Sequence, residues 1–329
     1  MADFSAGYGV TTDRTDAQDL IPPEITNEIF KNAVQGSQVL GLMRRLADMP
    51  RKVRTMPVLN SLPTAYFQTG EPDDANPNEY HGLAKAAKAA WGNVSITAEN
   101  LSVIIPIPND TIDDAAGNNI SLFAEIRPLI AEALAVAIDQ AILFGTDKPA
   151  SWPNGILTDA VAKGKAVTIG TGADLYEDIL GENGVFDLVN QSGYGVASCL
   201  GALTMMGKLR STRDANGNPI FNDNPSRPGT YTLWGVPSTF PTTGIINPAT
   251  CLLIAGAWDQ IVYAFRKDLT WKMSTDGIIQ DASGVIQYNL FQQDMTAMKV
   301  TTRLGWARPN PINRVDQTAN RYPFAVLVP

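Results

Sequence analysis

The chain of 329 residues is long enough to bury a sizeable core and to divide into two domains. Its composition, 44% hydrophobic and 18% charged, is that of a folded protein and excludes wholesale disorder. A net charge of −8 argues against non-specific binding to nucleic acid or to anionic lipid, since both need an excess of Lys and Arg.

Residues 1–23 are rich in Gly, Thr and Asp, end in Ile21-Pro22-Pro23 and read as an extended arm. They lack the basic and apolar regions of a secretory leader, so synthesis in the cytoplasm is expected. A short amphipathic helix is predicted from Glu24 to Gln35, with Ile25, Ile29 and Phe30 on its apolar side, and another helical piece over 39–49. Arg44, Arg45, Arg51, Lys52 and Arg54 then place five positive charges within eleven residues. No aromatic residue interleaves with them, so the run reads as a solvated charged stretch and not as a nucleic-acid site.

A long β-hairpin is predicted next, with one arm over 53–69 and the other over 91–107. In the second arm Val94, Ile96 and Ala98 face one way; beyond Asn100 the apolar set moves to Leu101, Val103, Ile105 and Ile107. Such a one-residue phase shift predicts a bulge or a sharp bend. Pro57, Pro63, Pro106 and Pro108 keep these strands at edges. The connection over 70–90 is polar, acidic in its first half and basic in its second. A two-stranded ribbon is marginal in water, so this one is expected to lie against another copy of the same chain.

Residues 120–144 predict a helix of about 37 Å at about 1.5 Å per residue. Phe123, Ile126, Ile130, Ala133, Leu134, Ala137, Ala141 and Phe144 fall on one broad side; Glu125, Glu132 and Asp139 fall on the other. Six alanines keep its surface shallow, Gly145 stops it, and Pro128 predicts a bend or a break. Further along, Trp152 to Leu157 reads as a turn leading into a strand, and 174–190 and 198–213 read as helices with Asp174 and Ser198 as N-caps. Residues 214–231 read as a long loop. Strands are predicted at 251–255, at 261–265, through the alternating Leu269, Trp271 and Met273, at 298–306 and at 324–328. In the strand at 298–306, Met298, Val300, Thr302, Leu304 and Trp306 form one face.

Catalytic readings fail for want of residues. The single histidine, His81, lies in the polar connection, so neither a site with several imidazole ligands nor a Ser/His/Asp triad is expected. Cys199 and Cys251 are not spaced as a redox or zinc pair and read as buried thiols. The stretch from Gly201 to Lys208 resembles a phosphate loop but has five residues between its glycines, and Leu209 stands where a hydroxyl should hold magnesium. Asp110, Asp113 and Asp114 precede a helix, where carboxylates are favoured anyway. No catalytic residue, cofactor or metal is therefore expected.

In order and spacing, a set of short signatures resembles the major capsid proteins of tailed bacteriophages, with the HK97-like fold. They are Phe67 to Glu71, the return strand from Val94 to Ile107 leading into Ile112-Asp-Asp114, Ile138 to Gly145, Pro153 to Leu157, Gly256-Ala-Trp258 with 261–265, and Met298 to Trp306 closing with Phe324 to Leu327. The resemblance implies an α+β fold with an N-terminal arm (1–50) and an extended loop (51–110). It implies a peripheral domain (111–172 and 290–321) carrying the spine helix 120–144, and an axial domain (173–289 and 322–329). It further implies pentamers and hexamers closing an icosahedral shell around double-stranded DNA, in a virion assembled in the bacterial cytoplasm, without a membrane and without sequence-specific DNA contacts. Portal and decoration proteins are expected partners, and any scaffolding protein is expected to be a separate chain, because Met1 stands close to the arm. Some members of that family cross-link a loop Lys to a neighbour's Asn with the help of a Glu; Lys85 and Lys88 offer amines, but no Glu follows Glu182, so no autocatalytic cross-link is expected. An encapsulin-like nanocompartment shell is the alternative within the fold, and a hydrolase using Asp110 and Asp113 the alternative outside it. As the inter-subunit contact, Arg44, Arg45, Arg51, Lys52 and Arg54 are expected to meet Glu71, Asp73, Asp74 and Glu79 of a neighbour.

Overall fold

A computed structural model describes residues 36–65, 86–117, 121–213 and 231–329. The predicted helix at 24–35, the signature Phe67 to Glu71, most of the polar connection and most of the loop at 214–231 lie outside the described residues. In chain order the elements are α1 (Gln38–Leu42), β1 (Arg44–Arg45), β2 (Val53–Ser61), β3 (Ala90–Thr97), β4 (Glu99–Pro108), α2 (Asn109–Gly117) and α3 (Leu122–Leu143). Then come α4 (Ile156–Ala162), β5 (Ala166–Thr168), α5 (Leu175–Leu180), α6 (Val185–Gln191), β6 (Ser198–Gly201), α7 (Leu203–Ser211), β7 (Tyr231–Leu233) and β8 (Val236–Thr239). The last are β9 (Leu253–Gly256), β10 (Val262–Ser274), β11 (Ile278–Gln280), β12 (Ile286–Asn289), β13 (Met295–Ala307) and β14 (Phe324–Val328).

The long helix α3 forms where its periodicity predicts, and it runs unbroken through Pro128. A proline inside a helix costs about 3 kcal/mol, which packing along the rest of α3 offsets. Ile130 and Leu134 pack on Met298 and Val300, and Ile138, Ala141, Ile142 and Leu143 enter the main core with Trp258, Leu304, Trp306 and Phe324. Gly145 has φ +75°, a left-handed backbone that ends the helix, and a Cβ on Gly155 would lie 2.5 Å from the Phe144 carbonyl carbon. That close approach docks the Asn154-Gly155 turn onto the helix end. The turn leads into the helix α4 and not into the predicted strand, because Ile156 and Ala160, four residues apart, are the positions buried.

Glu125 and Glu132 are half-buried, and Asp139 is fully buried. The segment leading into α1 lies across α3 at this point. Ser37 donates its hydroxyl to Asp139 Oδ1 at 2.5 Å, and the Gln38 amide donates to Oδ2 at 3.0 Å. Ser37 Oγ in turn caps α1 by accepting from the Leu40 amide at 3.0 Å. One carboxylate therefore joins the segment that enters α1 to the long helix α3. Burial pushes its pKa up from 3.8 to about 6, against the opposing effect of these hydrogen bonds.

The predicted phase shift is real, and it marks a change of partner. β3 pairs antiparallel with β2, whereas β4 pairs with β13 from Glu99 opposite Leu304 to Pro108 opposite Met295. Between them the Ala98 amide donates to Lys52 O at 2.8 Å, and Trp152 Nε1 donates to Thr97 O at 3.1 Å. The chain crosses over β13 at Gly305, where a Cβ would fall 2.4 Å from Thr97 O. Only the first part of the return strand is thus a ribbon; the second is the edge of a four-stranded sheet ordered β1-β10-β13-β4. Residues 261–265 and the alternating 269–273 stretch are one bulged strand, β10, paired along β13.

The second sheet has the order β5-β14-β9-β6-β8-β7 and is covered on both faces. Phe324 and Val326 of β14, Ile254 of β9 and Leu200 of β6 point into the main core; Ala325, Leu327, Ala255 and Cys199 point to the opposite side, against Val185, Val189, Met205 and Leu209. Ser198 begins β6 and is not a helix cap; the run to Gly201 is buried throughout, and α7 starts only after Ala202. Asp174 does cap α5, accepting from the Glu177 amide at 2.9 Å.

Residues 308–323 carry the chain from the first sheet to the second. Arg308 forms an ion pair with Asp159, both largely buried, and donates to the Tyr322 hydroxyl at 2.7 Å, which donates to Ile156 O at 3.1 Å. Arg321 is buried and donates to the carbonyls of Asp316 and Asn310.

This packing leads to two expected outcomes. Removing one partner of a buried pair strands the other charge, so Arg308→Met should destabilise the chain by about 3 kcal/mol in chemical denaturation, and adding Asp159→Asn should recover part of that loss. A double variant no more stable than Arg308→Met alone would show that the pair is not coupled. Because the folded pKa of Asp139 is above its ordinary 3.8, its contribution is complete below about pH 4 and is lost as pH rises through about 6. Between pH 5 and 7 the wild-type chain should lose about 1 kcal/mol relative to Asp139→Asn; parallel stability curves over that window would contradict this.

Candidate assembly surfaces

The structure gathers the basic run at one corner. β1 lies parallel to the start of β10, with Arg44 opposite Val262 and Arg45 opposite Tyr263, and forms an edge of the four-stranded sheet. The turn after it is held from below by Met49, buried among Ile96, Ala98, Val262, Ala264 and Ala307. Anchoring Met49 leaves Arg44, Arg45, Arg51 and Lys52 exposed and Arg54 half-buried. Arg45 reaches Asp48 at 3.1 Å in an exposed pair that contributes little, and its guanidinium lies 5.3 Å from the Phe265 ring centre. Lys52 lies 3.3 Å from Glu99, and Arg54 donates to Ala47 O at 2.8 Å. Glu71, Asp73, Asp74 and Glu79 lie outside the described residues.

From this corner the ribbon β2–β3 runs to residues 312–314. The Ile312 amide donates to Leu59 O at 3.1 Å, and Arg314 donates to Pro63 O at 3.3 Å. The ribbon buries Val58 and Ile96 but leaves Val53 51% and Trp91 69% exposed.

At the other end of the four-stranded sheet is a hairpin absent from the elements predicted by periodicity. β11 and β12 pair antiparallel across the turn Asp281 to Gly284. Its inner side is closed by Ile279 on Leu290, Met295 and Ala297. Ile278, Val285, Ile286 and Tyr288 are exposed, Tyr288 although it stands opposite Ile279, and Phe291 is 80% exposed. Asp281 holds the turn by accepting from the amides of Ser283 and Val285, both at 2.9 Å. Those bonds, the Val285 amide foremost, keep its carboxyl below the usual range. The signal was legible: a turn of Asp-Ala-Ser-Gly between two β-branched runs. Leu269, Trp271 and Met273 of β10 are also exposed, although Trp271 and Met273 stand opposite Val300 and Met298 on the helix side of the sheet. Arg127 of α3 reaches over Trp271, 5.7 Å from the ring centre.

Groups with chemical potential are scattered. Asp110 and Asp113 are exposed on α2, and among the described residues no three His, Cys, Asp or Glu side chains are placed to hold a metal ion. Cys199 and Cys251 are unbridged, and burial pushes both thiols up to about 12. Gly207 and Lys208 lie inside α7, so the stretch that resembles a phosphate loop makes no loop there. A cleft of about 360 Å³ beside Gly172 and Glu177 contains Asp178, whose oxygens accept from the Gly170 and Gly172 amides, each at 2.7 Å. No helix among the described residues is long and apolar enough to cross a membrane.

This architecture has relatives. The model of the phage capsid family matches residues 17–312. A solved structure from Microbacterium phage Oxtober96 superposes with a TM-score of 0.81 at 27% identity, covering 97% of this chain and 100% of that one. One from Mycobacterium phage Bobi gives 0.79 at 28% identity, covering 97% and 99%. The capsid of a native GTA particle, computed with C5 symmetry, shares the fold at 16% identity, with a TM-score of 0.66 over 97% of this chain and 98% of that one. No curated protein matches the chain. A match over nearly its whole length, joined to an HK97-like fold shared with phage capsid structures, makes this chain a member of the phage capsid family, a structural shell protein of the virion.

Proposed function

We propose that copies of this chain form pentamers and hexamers that close an icosahedral shell around double-stranded DNA, and that this work is structural and not catalytic. The observation that carries the reading is the large apolar side chains left in water on the ribbon and on the hairpin, above all Trp91 and Phe291. A monomer gains nothing from such exposure, whereas a subunit buries it against its neighbours. The net charge of −8 supports a shell that holds DNA without gripping it. A portal, a decoration protein and a separate scaffolding protein complete the particle in this reading.

The arm is assigned to 1–50 and the extended loop to 51–110, tipped by the β2–β3 ribbon. The peripheral domain holds 111–172 and 290–321, and the axial domain 173–289 and 322–329. The pairing of β10 and β4 with β13 supports counting 262–274 and 99–108 with the peripheral domain. The basic turn is assigned to an inter-subunit contact with acidic groups of a neighbour. No observation favours an encapsulin-like compartment or a hydrolase built on Asp110 and Asp113.

Electron microscopy of the expressed chain, with scaffold if required, tests the reading: closed shells containing nuclease-protected DNA in the phage are expected, and a compact monomer at assembly concentrations would overturn it. Arg44→Glu with Arg45→Glu should lower the yield of shells, more at low than at high salt, because the Debye length grows from about 8 Å at physiological ionic strength to about 30 Å at 0.01 M. Unchanged assembly would remove the basic turn from the contact. Mature particles dissolved in denaturant and reductant should run as monomer, since no Glu follows Glu182; a covalent ladder there would contradict the assignment without a cross-link.

A further inference from the structure

The segments beyond the two ends of β10 differ in charge, although exposed Lys272 and its strand partner Lys299 stand just inside the hairpin end. At the start of β10 stand Arg44, Arg45, Arg51, Lys52 and Arg54, against two acids, Asp48 beside Arg45 and Glu99 beside Lys52. Beyond its end, residues 275–294 contain Asp276, Asp281 and Asp294 and no Lys, Arg or His. All three carboxylate residues are exposed. Strand β10 is 13 residues long, so these groups are roughly 40 Å apart at about 3.3 Å per residue, too far to neutralise one another within a chain.

Both ends also present apolar surface. The hairpin β11–β12 is anchored through Ile279, and Ile278, Val285, Ile286 and Phe291 remain exposed. On the basic corner Val53 is 51% exposed, between Lys52 and Arg54. A patch rimmed by one charge, at the opposite pole from a patch rimmed by the other, fits a second copy of the chain placed head to tail. A contact of that kind uses each end once and leaves each copy ready for the next, which is how rings close.

We propose that the β11–β12 hairpin of one copy docks on the Arg44–Arg54 turn of the next, its apolar face covering Val53 and its carboxylates meeting the basic side chains. The inference rests on the shell reading above and names the acidic partner of the basic turn as this hairpin, in place of Glu71, Asp73, Asp74 and Glu79.

Cysteine pairing in assembled particles tests it. Cys199 and Cys251 are fully buried, so the native background is silent under mild oxidation. The double variant Arg51→Cys/Asp276→Cys should give covalent oligomers beyond the dimer that collapse to monomer on reduction, while neither single variant does. Particles of normal form that remain monomeric on the gel overturn the contact and leave the shell reading intact; failure of the wild-type chain to form any shell removes both. A second arm covers a double variant that does not assemble: Arg51→Glu should lower shell yield about tenfold, and Asp276→Lys in the same chain should restore it. Restoration by Glu79→Lys instead would assign the contact to the loop and overturn the proposal.

Discussion

Strand β13 is hydrogen-bonded along both edges, to β10 on one side and β4 on the other, and its even-numbered residues lie beneath the spine helix. The rest of the molecule depends on that arrangement. Val300, Leu304 and Trp306 are fully buried, so the strand cannot slip by one residue without turning its core set toward solvent. Its register also sets where other parts attach. Gly305 gives the ribbon its crossing point, Met295 lies over the base of the hairpin, and Arg308 opens the link to the second sheet.

The two sheets are joined by polar contacts as much as by apolar ones. Trp258 packs on Phe324 with ring centres 5.0 Å apart and donates its indole N–H to Ser198 O at 2.9 Å, tying the turn before β10 into the second sheet. Arg308, Asp159 and Tyr322 bind the outgoing link to α4. Buried ionic groups contribute little net stability compared with apolar ones of the same size, but they tolerate few alternative geometries. A shell subunit that must meet its neighbours needs that fixed orientation more than it needs extra stability. Asp139 acts similarly for the segment that enters α1: its burial is unfavourable to its charge, and its hydrogen bonds to Ser37 and Gln38 specify where that segment meets α3.

The elements that leave this core are exposed by construction. The ribbon holds on to residues 312–314 by backbone and guanidinium contacts, and the hairpin stands on three buried residues. Among the described residues neither has its outer apolar side chains covered, and a two-stranded ribbon alone is marginal in water. The separation of the basic corner from the acidic hairpin along one strand gives the subunit a polarity that matches repeated, directional contact.

The sequence by itself determined the elements whose apolar residues repeat with one period and face one partner. The spine helix, the alternation and phase shift of the return strand, the faces of β13 and the terminal strand β14 were all legible, as was the family in the order of short signatures. At the candidate surface, the basic cluster was visible as composition, and the hairpin was overlooked although its turn chemistry was present. Only the tertiary structure decided the rest. Asp139 is polar on a polar side of its helix until α1 crosses it; Ile156 starts a helix because its neighbour four residues on is the one buried; Ser198 enters a strand because both faces of its sheet are covered. In each case the deciding contact comes from residues distant in the chain, and local periodicity carries no record of them.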